Sequence, residues 1–407
     1  MKTTKKNYNF PPDFLWGTST SAYQIEGGIK NDWSEWEISE KRIRQLKKDG
    51  KKIETFICGQ AADSYNRYMD DIKALENLNC NAFRLGIEWA RIEPQKGKWD
   101  LNEIQHYKEV ISELKKRNIK VVLTLWHWTN PIWVAQMNGW ANKKITGYFT
   151  RYTEFVVEHL GDMVDYWVVL NEPMIHVYNG YLSAKFPPNK KNIFTAIKTF
   201  NNLATTYNAA YKIIHKKYQN SLVSITHIVH NVEPAHKWNV IEVLIAKLFH
   251  YFYNDCFLQK IKNNFDYIGL DYYFHDRIVW YPPFKKNKNK KITDTGWEIY
   301  PKGIYNTIKY LNKFQKPIIV LENGLADADD SRREKFIVEH LKYVHKAIAE
   351  GIEVKGYFYW SLIDNFEWAR GFIPKFGLYS FDPKTFNRQP RKSCQTYAKI
   401  CKTYKLE

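Results

Sequence analysis

The chain has 407 residues, of which 44% are hydrophobic and 26% charged, and this ordinary globular composition excludes a largely disordered protein. Its 61 Lys and Arg residues outnumber the 43 Asp and Glu residues, which gives a formal net charge of +18. No run approaches the roughly 18 apolar residues of a spanning helix, and the start of the chain lacks the apolar core of a secretion signal.

The five cysteines are odd in number and form no Cys-x-x-Cys pair, a pattern that favours reduced thiols and a cytoplasmic protein. The basic residues are scattered along amphipathic segments, as at Lys115, Lys116 and Lys212. Such a distribution is typical of solvated helix faces, so we expect no nucleic-acid partner and no membrane partner. The densest basic run, KKNKNKK over 285–291, follows two prolines and predicts a surface loop.

Eight short apolar or β-branched runs recur along the chain, separated by longer segments with helical periodicity. They span residues 14–18, 81–89, 120–128, 165–171, 221–229, 265–273, 317–322 and 354–361. Several are continuously apolar, which is typical of parallel strands buried on both faces. In the first long helical segment, Met69, Ile72 and Leu75 belong to a predicted buried stripe. Before the last long one, Ser331 and Glu334 predict a capping box.

Eight strand and helix alternations without a linker predict an α/β fold, a single (β/α)8 TIM barrel domain over residues 1–407. The active site of such a barrel lies at the C-terminal ends of the strands. A doubly wound open sheet is the alternative, but no glycine-rich phosphate-binding motif follows any of the runs.

Polar and aromatic residues occupy the ends of most of the predicted strands. They are Arg84, His127, Trp128, Asn171, Glu172, Asp271, Tyr273, Glu322 and Trp360, with Glu367 and Trp368 in the last loop. Glu172 and Glu322 therefore face each other across the predicted barrel mouth. Hydrolysis of a glycosidic bond needs one carboxyl group to protonate the leaving oxygen and a second to attack or to activate water. These residues indicate a glycosidase, although carboxylates at strand ends also serve as salt-bridge or capping residues.

Five longer motifs make the indication more specific. They are GTSTSAYQIEGG (17–28), LNEP (170–173), LENG (321–324), WSLIDNFEW (360–368) and FGLYSFD (376–382). In this order and spacing, from Phe10 to about Lys392, the chain resembles glycoside hydrolase family 1, the β-glucosidase family. The resemblance implies a retaining β-glycosidase that removes the non-reducing terminal β-linked sugar of glycosides or short oligosaccharides by double displacement. It implies no metal or organic cofactor, and carboxyl groups about 5 to 5.5 Å apart.

The resemblance also assigns roles by position. It implies that Glu172 is the acid/base and Glu322 the nucleophile, with Arg84 and Tyr273 holding the nucleophile ionised. We expect the pKa of Glu322 to be lowered by these neighbours and that of Glu172 to be raised. The implied sugar-binding residues are Gln24, His127, Trp128, Asn171, Tyr273, Trp360, Glu367 and Trp368, and Trp297 is the implied aromatic residue on the aglycone side.

Three positions depart from the family pattern. Val169 and Leu321 stand where the family usually has Thr, and Asp271 stands where it usually has Asn. Asp271 brings a third carboxyl group toward the catalytic pair, which predicts coupled titrations and leaves rate, pH optimum and recognition of the sugar 2-hydroxyl open. The chain is also shorter than most family members between the fifth strand and Trp297.

Other interpretations stay open at this point. A 6-phospho-β-glycosidase shares both glutamate motifs, but Glu367 would repel a phosphate, and the resemblance implies a smaller neutral residue there in phospho-specific members. The three departures favour, as a minority view, a carbohydrate-binding relative with impaired catalysis. His227 and His230 have no evident third ligand and are interpreted as structural rather than metal-binding. The preferred sugar, the natural aglycone and the oligomeric state are not specified by the sequence.

Overall fold

The computed structural model describes residues 8–287 and 289–406; Lys288, in the predicted surface loop, lies outside the described residues. Eight parallel strands form a closed barrel in which each strand pairs with the next along the chain. They are β1 Leu15–Ser19, β2 Ala82–Gly86, β3 Lys120–Thr124, β4 Tyr166–Asn171, β5 Leu222–Ile228, β6 Ile268–Asp271, β7 Ile318–Asn323 and β8 Val354–Trp360. The predicted α/β barrel is confirmed, and each strand overlaps its predicted run.

A main helix follows every strand and packs around the barrel. These helices are α1 Ser64–Asn77, α2 Leu101–Lys116, α3 Ile145–Leu160, α4 Ile193–Lys217, α5 Val240–His250, α6 Pro301–Leu311, α7 Arg333–Ala349 and α8 Ser393–Thr403. Shorter α-helices lie in the loops at Ala22–Ile25, Asp32–Glu37, Glu40–Lys48, Trp89–Ile92, Ile132–Gln136, Pro173–Val177 and Cys256–Ile261. Among the described residues, no helix is both long enough and apolar enough to cross a bilayer.

Single turns of 3-10 or π helix and three small sheets complete the loops. The turns are Ile53–Phe56, Gly139–Ala141, Gly161–Met163, Tyr178–Leu182, Tyr251–Asp255, Asn312–Phe314 and Trp368–Arg370. The paired strands are Tyr8–Asn9 with Lys405–Leu406, Asn231–Pro234 with His275–Ile278, and Tyr379–Phe381 with Arg388–Pro390.

The barrel interior is filled by apolar side chains from successive strands, among them Leu15, Val122, Ile319 and Leu321. Leu321, one of the departures from the family pattern, is therefore a core residue. Its Cδ1 atom lies against β6 at Gly269, where an added Cβ would come within 2.6 Å of it. The interior is packed below the catalytic end, so polar groups gather at the carboxyl ends of the strands.

Two local predictions are wrong. The Ser331 hydroxyl donates to Asp329 rather than capping α7, and the carboxylate of Asp327 accepts the N–H groups of Arg332 and Arg333 at 2.9 and 3.0 Å. The capping acceptor thus comes from further back in the loop. In α1, a kink at Arg67 interrupts the helical dihedral angles, and Met69 is exposed instead of joining the buried stripe.

Candidate active site

Two glutamates reach the barrel mouth from β4 and β7. Glu172 directly follows β4, with a left-handed backbone (φ 37°, ψ 61°), and Pro173 then begins a short helix. The Glu172 N–H donates to the carbonyl of Thr226 on β5 at 3.1 Å. Glu322 lies within β7, and the next side chain, Asn323, donates to the carbonyl of Tyr272 at 2.7 Å. Both backbones are therefore fixed to neighbouring strands.

A third carboxyl group completes this cluster. Asp271 ends β6 and pairs in register with Glu322. An oxygen from each of Glu172, Asp271 and Glu322 lies within 4.8 Å of the others, and the three residues are 4%, 0% and 5% exposed. The sequence expectation of a third carboxyl group near the pair thus agrees with the geometry.

Arg84, on β2, links the carboxyl cluster to residues on neighbouring strands by hydrogen bonds. Its guanidinium is fully buried and donates to Glu322, to the Asn171 amide oxygen and, at 3.1 Å, to Thr124. The Tyr273 hydroxyl donates to the other oxygen of Glu322 at 3.0 Å. Glu322 is therefore the carboxylate whose negative charge is directly compensated.

Burial raises the pKa values of all three carboxyl groups, and their neighbours change each value differently. Burial raises the pKa of Glu172 well above its usual range, and the charges of Asp271 and Glu322 raise it further. Burial also raises the pKa of Asp271 well above its usual range, with Glu322 adding to the effect. Burial raises the pKa of Glu322, while Arg84 and Tyr273 lower it.

The expectation of a lowered pKa for Glu322 is therefore wrong, because burial outweighs the effect of Arg84 and Tyr273. The expectation of a raised pKa for Glu172 agrees with the structure. Because Arg84 donates a hydrogen bond to Glu322, we conclude that Glu322 ionises first and that Glu172 and Asp271 retain a proton between them.

The His127 ring is held as a neutral donor. Its Nε2 lies 2.9 Å from the Asn171 amide nitrogen, so the ring accepts there, and its Nδ1 has no protein partner. Burial and the charge of Arg84 hold the pKa of His127 well below its usual range. The Nδ1–H group is consequently available to a hydroxyl in the pocket.

The loop after β8 brings Glu367 to the pocket, and Gln24, in the short helix after β1, lies behind the pocket surface. Burial raises the pKa of Glu367 to about 8. Gln24 is fully buried, and its amide pairs with Ser21, Asn365 and the carbonyl of Phe366 at 2.7 to 3.0 Å. The Gln24 side chain does not line the pocket, and its direct contact with a sugar stays a prediction.

Aromatic rings form the pocket walls. Trp368 stacks on His127 with ring centroids 5.6 Å apart and packs on Trp128 at 4.8 Å. The Trp128 indole N–H donates to the Asn171 carbonyl at 3.0 Å, which fixes that ring within the wall. On the other side, Trp360 and Trp297 pack around Phe376.

The pocket has a volume of about 1400 Å³ and is lined by both glutamates. Of the predicted residues, Gln24, Arg84 and Asn171 lie behind its surface and the other nine line it. Sequence reasoning missed Phe376, Phe186 and Arg370 in the walls. Phe376 begins a matched motif and could have been identified, whereas Phe186 lies in an irregular loop without a periodic signal.

The buried carboxyl trio is also the group, within the described part of the chain, whose oxygens come close enough to share a metal ion. Arg84 already supplies positive charge to it. His227 and His230 have protein partners instead, the Asn254 carbonyl at 3.1 Å and Asp276 at 2.6 Å. Two carboxyl groups face each other in an aromatic pocket, one paired with a cation and one with an oxygen that has no partner. This is the arrangement that hydrolysis of a glycosidic bond requires.

Comparison with known proteins identifies the family. The model of glycosyl hydrolase family 1 matches residues 6–292 and 258–406. A 1,4-beta-D-glucan glucohydrolase of Thermotoga neapolitana is 30% identical, over 97% of this chain and 98% of the relative. The structure of a beta-glycosidase from Pyrococcus horikoshii is 34% identical with a TM-score of 0.89, covering 99% of this chain and 97% of that one.

A beta-glucosidase from Thermotoga maritima in complex with glucoimidazole is 28% identical with a TM-score of 0.91, over 98% of this chain and all of that one. The chain belongs to glycosyl hydrolase family 1 and is a retaining β-glycosidase.

Proposed function

We propose that Glu322 attacks the anomeric carbon of a β-glucoside-like substrate and that Glu172 is the acid/base. The observation that carries this assignment is the asymmetry of the two carboxyl groups: Glu322 accepts from Arg84 and Tyr273, while Glu172 Oε1 has no protein partner. A nucleophile must be ionised and fixed, whereas an acid must hold its proton and reach the leaving oxygen.

Two displacements follow from these roles. Glu322 bonds to the anomeric carbon as the glycosidic bond breaks, and Glu172 gives its proton to the departing oxygen. Glu172, now ionised, takes a proton from water, whose oxygen then displaces Glu322. The configuration at the anomeric carbon is inverted twice and therefore retained.

The sugar would lie between the rings of Trp360 and Trp368 and the polar groups of His127 and Glu367. A pyranose has an apolar face that stacks on indole and hydroxyls that need polar partners. The Nδ1–H of His127 can donate and the carboxyl group of Glu367 can accept or donate. Trp297, beside Tyr273 on the same wall, would contact the aglycone.

The test is mass spectrometry after reaction with a 2-deoxy-2-fluoro-glucoside activated by a good leaving group. We expect one covalent sugar on the peptide that contains Glu322, and no adduct in Glu322→Gln. An adduct on another carboxyl group would overturn the assignment. Sugar binding with neither adduct nor turnover would support the alternative of an impaired, carbohydrate-binding relative.

A 6-phospho-β-glycosidase is the second candidate, since a 6-phospho-beta-galactosidase of Clostridium acetobutylicum is 27% identical over 98% of this chain. The carboxyl group of Glu367 opposes it, because it lies at that end of the pocket and repels a phosphate whenever it is ionised. Comparing kcat/KM for nitrophenyl β-glucoside and for its 6-phosphate decides between them, and we expect the unphosphorylated substrate to be preferred.

The proposed compartment is the cytoplasm. It is supported by the five cysteines, all unpaired and four of them buried, because buried thiols persist where the environment is reducing. Fractionation of cells carrying the tagged protein would test this.

A further inference from the structure

One surface of the barrel exposes the side chains that a soluble helix normally buries. In α5, Val240, Ile241, Leu244 and Leu248 are between 56% and 69% exposed, and Tyr251 just beyond it is 58% exposed. The buried residues of α5 are Glu242 and Ala246. An amphipathic helix on a globular protein has the opposite orientation.

A specific polar contact holds α5 in this orientation. The Glu242 carboxylate accepts the backbone N–H of His236 at 2.7 Å and that of Trp280. Lys285, in the loop that follows Trp280, lies over the rings of Phe249 and Tyr253 at 5.7 and 5.4 Å. The helix and this loop are therefore packed together and form one surface.

The same surface carries exposed aromatic rings. We define the α5 face as the exposed residues Trp238, Val240, Ile241, Leu244, Leu248, Tyr251, Trp280, Tyr281 and Phe284. These nine make up half of the eighteen large hydrophobic side chains exposed in residues 8–287 and 289–406. Such concentration is not the scattered exposure of ordinary surfaces and marks an interaction site.

The α5 face is continuous with the catalytic pocket. Leu248 and Phe284 belong to the face and also line the pocket that contains Glu172 and Glu322. Whatever covers this face therefore borders the pocket.

Exposed lysines predominate around the α5 face. Lys237, Lys247, Lys286, Lys290 and Lys291 are exposed beside it or in the adjoining loop. Among the described residues of 236–292, no Asp or Glu is classed as exposed. A basic rim around exposed tryptophans and leucines is the composition of surfaces that bind anionic lipid headgroups and insert apolar side chains beneath them.

Either a second copy of the chain or a lipid surface could cover an apolar face, and the lysines around the face favour one of the two. In a symmetric dimer the same patch meets itself, so the lysines of two copies would face each other, and the second copy would lie across the pocket wall. An anionic lipid surface attracts the lysines and leaves the pocket open toward the bilayer. The sequence analysis expected no membrane partner because the lysines are scattered along the chain. The fold gives a reason to revise that expectation, since it places several exposed lysines beside one group of exposed apolar side chains.

We propose that the α5 face docks onto an anionic lipid surface and that the enzyme there hydrolyses glycosides whose apolar aglycone is embedded in lipid. This inference rests on the proposed glycosidase function of the same pocket. Docking would bring the pocket entrance to the headgroup level, so that a sugar enters while its aglycone stays among the acyl chains.

The test is flotation of the full-length protein with vesicles of phosphatidylcholine containing about one third phosphatidylglycerol, compared with pure phosphatidylcholine. We expect binding to the anionic vesicles that weakens as salt is raised. The variant Ile241→Ser/Leu244→Ser should lower the bound-to-free ratio at least tenfold. A matched control, Met69→Ser/Leu101→Ser, removes exposed apolar side chains from α1 and α2 on the opposite side of the barrel and should bind normally.

Neither substitution touches the pocket, so both variants should hydrolyse nitrophenyl β-glucoside at the wild-type rate. Failure of the wild type to float, or equal flotation of the α5 variant, would overturn the inference while leaving the glycosidase assignment intact. A wild-type dimer in sedimentation equilibrium that the α5 variant dissociates would also overturn it, because a second copy would then cover the face. Flotation without nitrophenyl glucoside turnover would instead remove the glycosidase basis of the substrate proposal.

Discussion

Replacing Asp271 by Asn tests the electrostatics of the site with little change in shape. Asp271 and Glu172 lie close enough to hydrogen bond, and two carboxyl groups can do so only by sharing a proton. The neighbouring Thr226 hydroxyl donates to Asn171. We therefore expect the Asp271→Asn protein to fold and to retain turnover, but to hold the Glu172 proton less tightly.

The size of the effect follows from the distance. A full unit charge within 4.8 Å of Glu172 contributes at least about 3.5 kcal/mol at an effective dielectric constant of about 20, which corresponds to roughly 2.5 pH units. Asp271 carries its charge only part of the time, because the proton is shared and Arg84 is near, so about 1 pH unit is expected. A neighbouring negative charge favours protonated Glu172, and its removal therefore moves the alkaline limb of the activity profile to lower pH.

The assay is kcat/KM for nitrophenyl β-glucoside across the acid and alkaline limbs, since kcat/KM reports groups in the free enzyme. Asp276→Asn is a control, because it removes a buried carboxylate that pairs with His230 and Lys285 outside the trio. Its alkaline limb should stay at the wild-type position. An Asp271→Asn limb that does not move, or that moves to higher pH, would refute the shared-proton reasoning.

Three further outcomes are expected. Arg84→Lys should lower kcat/KM about 10²- to 10³-fold, because one ammonium group cannot replace both guanidinium hydrogen bonds, to Glu322 and to Asn171. Steady-state kinetics measure this loss, and an unchanged circular dichroism spectrum shows that the variant is folded. Glu367→Gln should gain thermal stability relative to wild type as pH rises from 4.5 toward 8. The pKa of Glu367 is raised to about 8 in the folded state, so ionisation in this pH range destabilises the folded wild type and has no counterpart in the variant. An equal difference in melting temperature at both ends of that range would contradict this. Arg333→Ala should lower the free energy of unfolding, measured in urea, by about 3 to 5 kcal/mol. The buried guanidinium donates hydrogen bonds to the Tyr359 hydroxyl and to three backbone carbonyls, and the substitution removes all of them. A loss below about 1 kcal/mol would contradict this.

The strands could be predicted because a parallel strand buried on both faces is a continuous apolar run. Their ends could not, because ends depend on the neighbouring strand. The run over 265–273 yields only Ile268–Asp271. The N–H of Tyr272 still donates to the Glu322 carbonyl on β7, but Asp271 is the last residue of β6 that pairs in register with β5 and β7. The α7 cap failed for a similar reason: Asp327 competes with Ser331 from a loop whose path has no sequence signature. The single domain over residues 1–407 stays a prediction.

The position of a side chain in the site could be predicted where it lies at a strand end, as for Glu172 and Glu322. It was harder to predict where the path of a loop determines that position. Gln24 stands in a strong motif, yet its amide is consumed by Asn365 and Phe366, which no spacing shows. The net direction of the Glu322 pKa depends on how deeply it is buried, and depth is a property of the whole fold.

The departure from the family pattern at Asp271 makes sense as part of one electrostatic arrangement. Asp271 adds a carboxyl group while Arg84 is the one cation that donates to the trio among the described residues. Uncompensated charge is costly in a buried site, so the trio lowers its energy by holding protons. Arg84 selects Glu322 as the carboxylate, and the retained proton lies between Asp271 and Glu172. The proton that offsets the charge of Asp271 is then the proton that Glu172 delivers to the leaving oxygen. Asp271 therefore keeps Glu172 protonated up to a higher pH, and the departure from the family pattern extends the active pH range in the alkaline direction.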